Sequence, residues 1–441
     1  MLGNIEKHIA EHLPFLKQSK ILIAISGGLD SVVLAKLFHS LNYSIGFAHC
    51  NFQLRGEESD EDETFVKNLA TELNVEVFTK KFGTEKYANQ QKLSIQMAAR
   101  KLRYEWFQEI ATTFQYDYIL TAHHKDDALE TFLINLSRGT GIEGLTGIPE
   151  RNGIIVRPLL PFTRAEIYAF AGTNKLQWRE DSSNASTKYV RNKIRHDIVP
   201  LLKELHPTFM DNFERTQVHL RESKDIIHES IQKLREELVE TVADNQYRIE
   251  IAALQKLANP KAYTYELLKK FGFNAWNDVS DLLSGQTGKQ LFSAKYRLIK
   301  DRTHLLIQKR TKNKNASEVI VINNSESIIK TPIRLQIEEV TGITDTGKNI
   351  LYIEKEMLKF PLTVRKWQNG DYFYPFGMKG KKKLSKYFKD EKYSLIDKEN
   401  QWLLCSGESI VWIIGKRSDN RYKLTKLTKT IIKLTLYENK S

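Results

Sequence analysis

From residue 20 to residue 180 the chain alternates short aliphatic runs with longer segments whose apolar residues recur every three or four positions. The run ILIAI, residues 21–25, is unbroken, as expected of a strand buried on both faces of a parallel sheet. After a Ser-Gly-Gly turn, Val32, Val33, Leu34, Leu37 and Phe38 fall at helical spacing. Carried along the chain, the pattern predicts strands over 20–26, 44–50, 75–79, 117–122 and 154–156. Helices over 30–40, 59–73, 94–114, 125–137 and 163–174 separate them, with Ser59 and Ser94 placed as N-caps. This rhythm predicts an α/β fold, a doubly wound parallel sheet whose ligands bind beyond the carboxyl ends of its strands. Residues 205 to 285 read as helical, opening with the charged RTQVHLRESKDIIHESIQKLREELVE, and short strands follow, as in KYRLIKDRTHLLIQK. The polar TKNKNAS, 311–317, is the best linker. Three domains are expected: 1–204 doubly wound, 205–312 mainly helical, and 313–441 small, mixed α/β and basic.

The turn SGGLDS, residues 26–31, sits where a strand ends and a helix opens. Unpaired amides and the positive end of the helix dipole point into such a turn, and two glycines let an anion approach the main chain. It reads as a phosphate seat, or as a tight connection without a ligand. The nucleotide-hydrolysing string G-x-x-x-x-G-K-[ST] is absent from the chain. A G-x-G-x-x-G string occurs at Gly139, Gly141 and Gly144, but it follows a helical pattern instead of a strand, so it reads as a helix-ending loop. In LTAHHKDDALETFLINLSRGTG, residues 120–141, Leu129, Phe132, Leu133 and Leu136 form a core stripe. Asp126, Asp127 and Glu130 gather near the helix start, either as dipole-favouring residues or as an acidic pocket for a cationic substrate or Mg²⁺. His123 and His124 lack the further ligands of a zinc site.

Composition narrows the class. With 41% hydrophobic and 27% charged residues the chain is an ordinary globular sequence, and no apolar run approaches the ~18 residues of a membrane span. Cys50 and Cys405 are the only cysteines, which argues for a reducing cytoplasm. Of the net charge of +13, residues 361–441 carry most, with 18 Lys and Arg against 8 Asp and Glu. The densest piece, GMKGKKKLSKYFKD, sets Lys381, Lys382, Lys383 and Lys386 beside Tyr387 and Phe388, a mixture of phosphate-binding charge and stacking surface, or else a solvated charged face.

SGGLDS matches the S-G-G-x-D-S signature of the PP-loop ATP pyrophosphatases, which cleave ATP between the α and β phosphates and adenylate an oxygen. With AHCNFQLRGEESDED, AARKLRY, HHKDDALET, GLTGIP, RPLLPFTRAEI and EDSSNASTKYVRNKIRHDIVPLL, residues from roughly 20 to 203 resemble the N-terminal domain of the bacterial tRNA(Ile)-lysidine synthetases. VRKWQNGDYFYPFGMKGKKKLSKYF and IVWIIGKRSDNRYKLT resemble that family's C-terminal RNA-binding module. One departure is Ala128, where the family often has Gln.

The resemblance implies an ATP-dependent carbon–nitrogen ligase in the cytoplasm. ATP adenylates the carbon-2 oxygen of the wobble cytidine in the CAU anticodon of tRNA(Ile), and free L-lysine then displaces AMP. It implies that Ser26, Gly27, Gly28, Leu29 and Ser31 hold pyrophosphate, with Asp30 acting through Mg²⁺. Arg103 would stabilise developing charge, Asp127 and Glu130 would bind the lysine ammonium and accept its proton, and Lys381, Lys382, Lys383 and Lys386 would bind the tRNA body. A tRNA thiolase is the nearer alternative, but the chain has no C-x-x-C pair. An ATP-responsive RNA-binding protein without catalysis is the farther one. Oligomeric state stays open, a homodimer being one option.

Overall fold

The computed structural model describes residues 1–180, 190–310, 319–331 and 333–437. The linker expected at 311–317, and residues 181–189 of the EDSSNASTKY block, lie outside the described residues. The chain forms two units, Met1–His228 and Glu229–Ser441.

The first unit runs α1 (Leu2–His12), β1 (Lys20–Ala24), α2 (Leu29–Ser40), β2 (Ser44–Asn51), α3 (Glu57–Leu73), β3 (Glu76–Lys81), α4 (Thr84–Gln91), α5 (Ile95–Thr113) and β4 (Tyr118–Leu120). It continues through α6 (Lys125–Ser137), α7 (Ile142–Leu145), β5 (Arg151–Asn152), β6 (Ile155–Val156) and α8 (Arg164–Thr173). The sheet order is β3-β2-β1-β4-β6-β5, parallel throughout except for the β5–β6 hairpin. Strand alternation explains the unbroken aliphatic run. Ile21 and Ile23 pack with Val33, Leu37, Val66 and Ile167 on one face, while Leu22 and Ala48 pack with Trp106, Phe107 and Ile110 of α5 on the other. Each fully buried side chain of this kind contributes roughly 1.5–3 kcal/mol. The chain steps outward from β1 through β2 to β3 and then returns to β4 on the other side of β1, so the loops after β1 and β4 diverge at a topological switch point.

A short helix α9 (Val190–Lys193) passes through a π-helical turn (Ile194–Ile198) into α10 (Val199–Leu205), and α11 (Phe209–Leu238) follows. The π turn packs Ile194 with Val199, Phe213, Ala128 and Leu129 of α6, which brings this segment against the acidic helix.

In the second unit, β7 (Glu240–Ala243) and β8 (Gln246–Glu250) precede α12 (Ile251–Gln255), α13 (Pro260–Lys269) and α14 (Trp276–Ser284), with β9 (Gln290–Phe292), β10 (Tyr296–Lys300) and β11 (His304–Lys309) after them. These strands form one antiparallel sheet, order β7-β8-β11-β10-β9. The next strands are β12 (Ile320–Ile322), β13 (Ile328–Ile329), β14 (Arg334–Val340), β15 (Ile350–Glu354), β16 (Leu362–Lys366), β17 (Tyr372–Phe373) and β18 (Lys382–Lys383). They are followed by α15 (Leu384–Asp390), β19 (Trp402–Ser406), β20 (Ser409–Ile413) and β21 (Ile431–Tyr437). Two four-stranded sheets, β12-β16-β19-β20 and β13-β14-β21-β15, share a core through Val364, Leu404, Trp412, Leu335, Ile353 and Leu434.

Three readings of the sequence are corrected here. The helical stretch over 205–285 is interrupted by the β7–β8 hairpin, whose turn holds Asn245 at φ 60°, a left-handed conformation that Asn tolerates. Ser59 does not cap α3, which begins at Glu57 after Gly56; its buried hydroxyl accepts instead from the Arg55 amide at 3.2 Å. Ser94 does cap α5, accepting from the Met97 amide at 3.3 Å. Tyr387 and Phe388 offer no stacking surface, because α15 turns them inward against Phe373, Leu403 and Ile413. Among the described residues no helix is long and apolar enough to cross a membrane.

Candidate active site

The loop between β1 and α2 is shaped by its two serines. Ser31 Oγ donates to the Gly28 carbonyl at 2.9 Å and accepts from the Ser26 amide at 3.2 Å, while the Gly28 amide donates to Ser26 Oγ at 3.3 Å. Gly27 lies at φ +91°, a left-handed conformation, and a Cβ there would meet Phe65 and Val66 of α3. Gly28 is the N-cap of α2 and supplies no side chain to the first turn, so those amides are left for an anion.

Across the switch point, the β4 exit leads into α6 through His123 and His124. His124 caps the helix: its Nδ1 accepts from the Asp127 amide at 3.4 Å, and Asp127 Oδ2 accepts from the His124 amide at 3.1 Å. This is a capping box built on histidine. The other ring nitrogen stands between two carboxylates, 3.5 Å from Asp127 Oδ2 and 3.8 Å from Asp30 Oδ2. His123 rests against Thr121, with Nδ1 2.9 Å from Oγ1. Neither histidine joins a metal cluster, and no group of three or more His, Cys, Asp or Glu suited to a metal occurs among the described residues.

The three acidic residues of α6 have different neighbours. Asp126 turns to α8 and α10, accepting from the Arg164 amide at 2.8 Å and pairing with Lys203. Glu130 is only 1% exposed and is clasped by Arg191 Nε at 2.7 Å and Arg195 Nε at 2.6 Å. Asp127 Oδ1 accepts from Arg191 Nη2 at 2.8 Å, with Arg195 Nη2 at 3.4 Å. Arg191 and Arg195 lie four residues apart across the π turn and so reach the same carboxylates. The sequence reading assigned neither a role; their i, i+4 spacing in RNKIR was the available signal.

A cavity of about 490 Å³ opens over the two loops. Ser26, Gly28, Leu29, Asp30, Ser31, Arg103 and Asp127 line it, as do His124, Trp178, Arg179, Arg191 and Arg195. Gly27 and Glu130 stand behind this wall. Arg103, on α5, places its guanidinium over the Phe52 ring at 5.3 Å and forms no hydrogen bond or ion pair with the described residues. Burial pushes the neighbouring Cys50 thiol up to about 12, so it stays protonated at neutral pH. Lys381, Lys382, Lys383 and Lys386 belong to the second unit. Lys381, Lys383 and Lys386 are exposed, whereas Lys382 is paired with Asp390 at 2.8 Å.

Electrostatics divides Asp30 from Asp127. Burial raises the Asp30 carboxyl above the ordinary range, outweighing His124, with Asp127 adding repulsion; its Oδ1 is buried with no hydrogen-bond partner among the described residues. Burial also acts on Asp127, but His124, Arg191 and His123 together hold its carboxyl below the ordinary range. One site wants a cation and the other already faces several.

Sequence comparison adds to this geometry. The PP-loop domain family matches residues 1–202, the TilS substrate binding domain residues 242–310, and the TilS substrate C-terminal domain residues 362–434. The chain is 41% identical to a tRNA(Ile)-lysidine synthase of Parabacteroides distasonis over 98% of its own length and 99% of the relative's. It is 40% identical to that of Bacteroides thetaiotaomicron, over 96% of each chain. A synthase of Clostridium acetobutylicum is 28% identical over 99% of each.

His123 gives a stability prediction. Burial lowers its imidazole to about 4, whereas in the unfolded chain it titrates near 6.5. Below 6.5 the unfolded state takes up a proton that the folded state refuses, so this contribution is complete above 6.5 and is lost as pH falls toward 4. Between pH 7 and pH 4.5 the wild type should lose about 2–3 kcal/mol through this residue. Urea unfolding at both pH values should show a correspondingly smaller drop for His123→Gln, and equal drops in both proteins would refute the assignment.

Proposed function

Given that the chain belongs to the tRNA(Ile)-lysidine synthase family, we propose that its α/β unit adenylates the carbon-2 oxygen of the wobble cytidine in the CAU anticodon of tRNA(Ile) and joins free L-lysine to that carbon. The observation that carries this reading is the convergence of the Ser26–Ser31 loop, His124 and Asp127 on one cavity. A phosphate seat and an acidic wall are what an adenylation followed by attack of a cationic amine requires.

The β and γ phosphates of ATP fit the open amides at the start of α2, with the Ser26 and Ser31 hydroxyls beside them. Arg103 and Arg191, in the lining of the same cavity, supply cations for the charge that develops as the oxygen attacks the α phosphate and pyrophosphate departs. Asp30 suits Mg²⁺: a buried carboxylate with a bare oxygen matches an ion that takes one or two carboxylates and completes its shell from phosphates and water. Bound there, Mg²⁺ would neutralise phosphate charge.

Adenylation turns the carbon-2 oxygen into part of a leaving group. The ε-amine of lysine then forms a bond to carbon 2 and AMP departs with the oxygen. Releasing the amine from its ammonium at pH 7 costs about 4–5 kcal/mol. Asp127, ionised and at the cavity wall, orients the ammonium; held below the ordinary carboxylate range by His124 and Arg191, it is a weak base, and the proton leaves to water. Glu130 serves the same end from behind by fixing Arg191 and Arg195. The second unit, including the basic residues of 313–441, holds the tRNA body, and we assign the three segments 1–204, 205–312 and 313–441 to adenylation, tRNA contact and tRNA binding, in the cytoplasm.

Incubation with ATP, labelled lysine and CAU-anticodon tRNA(Ile), followed by mass analysis of the nucleosides, should show a lysine-bearing cytidine, and Asp30→Ala should abolish it while the protein stays folded. Label-free nucleosides from the wild type would overturn the reading.

The exposed lysines give a separate expectation. Replacing Lys381, Lys383 and Lys386 by Ala should weaken tRNA binding and flatten its salt dependence, by roughly 0.7–0.9 in log–log slope for every phosphate that these side chains neutralise. Turnover at saturating tRNA should hardly change. An unaltered slope in filter binding would make them only a solvated surface.

A further inference from the structure

Beside the phosphate seat runs a second set of charges that the reaction above does not use. Arg179 lies on the segment following α8. Its backbone amide donates to the Gly27 carbonyl at 2.9 Å, and its Cγ is 3.8 Å from where a Gly27 Cβ would stand. The guanidinium does not reach free into the cavity: Nε donates to Asp62 Oδ1 at 3.1 Å and Nη2 to Glu61 Oε2 at 2.5 Å. Asp62, 7% exposed on α3, is held in turn by Arg55 Nη2 at 2.8 Å. One turn further along the same helix, Phe65 and Val66 crowd the same Cβ position of Gly27.

The peptide between Gly27 and Gly28 is therefore fixed by its oxygen. In a planar trans peptide the carbonyl and the following N–H point in opposite directions. Tying the Gly27 oxygen to Arg179 turns the Gly28 N–H the other way, toward Ser26 Oγ and the seat. We propose that Asp62 is a positioning residue for the nucleotide half of the reaction, acting through Arg179 on the Gly28 amide. The inference rests on the reading of this loop as the pyrophosphate seat. It assigns Asp62 and Arg179 a part in binding ATP and none in binding lysine, whose proposed carboxylate Asp127 lies on a different helix, α6.

The test is steady-state kinetics of pyrophosphate release by the full-length protein, varying ATP at saturating lysine and tRNA, then lysine at saturating ATP. Asp62→Asn should raise the KM for ATP by roughly tenfold, a size typical of a misplaced binding group, and leave the KM for lysine within about twofold. Arg179→Ala, at a side chain 37% exposed and so tolerant of truncation, should act in the same direction. On the Arg179→Ala background, Asp62→Asn should add nothing, because its effect passes through that side chain. Asp62→Glu should restore part of the ATP affinity. A fall in the KM for ATP in Asp62→Asn would overturn the proposal, since it would mean that the released guanidinium binds phosphate itself. Equal rises in both KM values, or additive effects in the double variant, would likewise overturn it. Should Asp62→Asn fail to fold, the ATP-against-lysine split in Arg179→Ala decides the matter. Failure of the wild type to release pyrophosphate with all three substrates would instead reject the functional reading beneath it.

Discussion

The site depends on the clasp of Arg191 and Arg195 on Glu130. A carboxylate almost wholly removed from water is tolerated only with partners of opposite charge, and breaking such a pair typically costs about 3–5 kcal/mol. Here both guanidiniums direct Nε at Glu130; Arg191 Nη2 reaches Asp127, and Arg195 Nη2 is shared between Glu130 at 3.0 Å and Asp127 at 3.4 Å. Glu130 thereby pins the π turn against α6, and the pinned arginines bring positive charge to the cavity wall. Without that anchor, the segment from Val190 to Leu205 would rely on the apolar packing of Ile194 and Val199 and on the Lys203–Asp126 pair.

The same clasp helps separate Asp30 from Asp127. Asp30 and Asp127 both approach His124, yet their acidities move in opposite directions, upward for Asp30 by burial and downward for Asp127 by its cationic neighbours. Two like groups thus receive different chemical tasks from their surroundings. Asp30, with its buried oxygen, is the carboxylate that would hold a divalent cation in the proposed reaction. Asp127 stays ionised beside Arg191 and His124.

Much of the first unit was legible because parallel strands covered on both faces must read as unbroken aliphatic runs. β1 and β2 ended within a residue or two of expectation, and α6 matched at both ends because a capping residue precedes it and a glycine loop follows. What escaped was set by distant partners. Arg191 meets Glu130 across 61 residues of chain, a pairing that no local pattern encodes. Ser59 had the composition of a cap, but Gly56 starts the helix earlier and Ser59 falls inside it. Tyr387 and Phe388 looked like a stacking face until α15 buried them, leaving their lysine neighbours outside. The β7–β8 hairpin was hidden because its residues are largely polar and it follows directly on a long charged helix.

The central claim is that adenylation of the tRNA comes before and apart from attack by lysine, within one cavity. Rapid-quench measurement of pyrophosphate release with ATP and CAU-anticodon tRNA(Ile) but no lysine tests this most directly. The account predicts a burst approaching one equivalent per site, with AMP bound to the tRNA and freed when lysine is added. No pyrophosphate until lysine is present, or equal release when the tRNA is omitted, would contradict it.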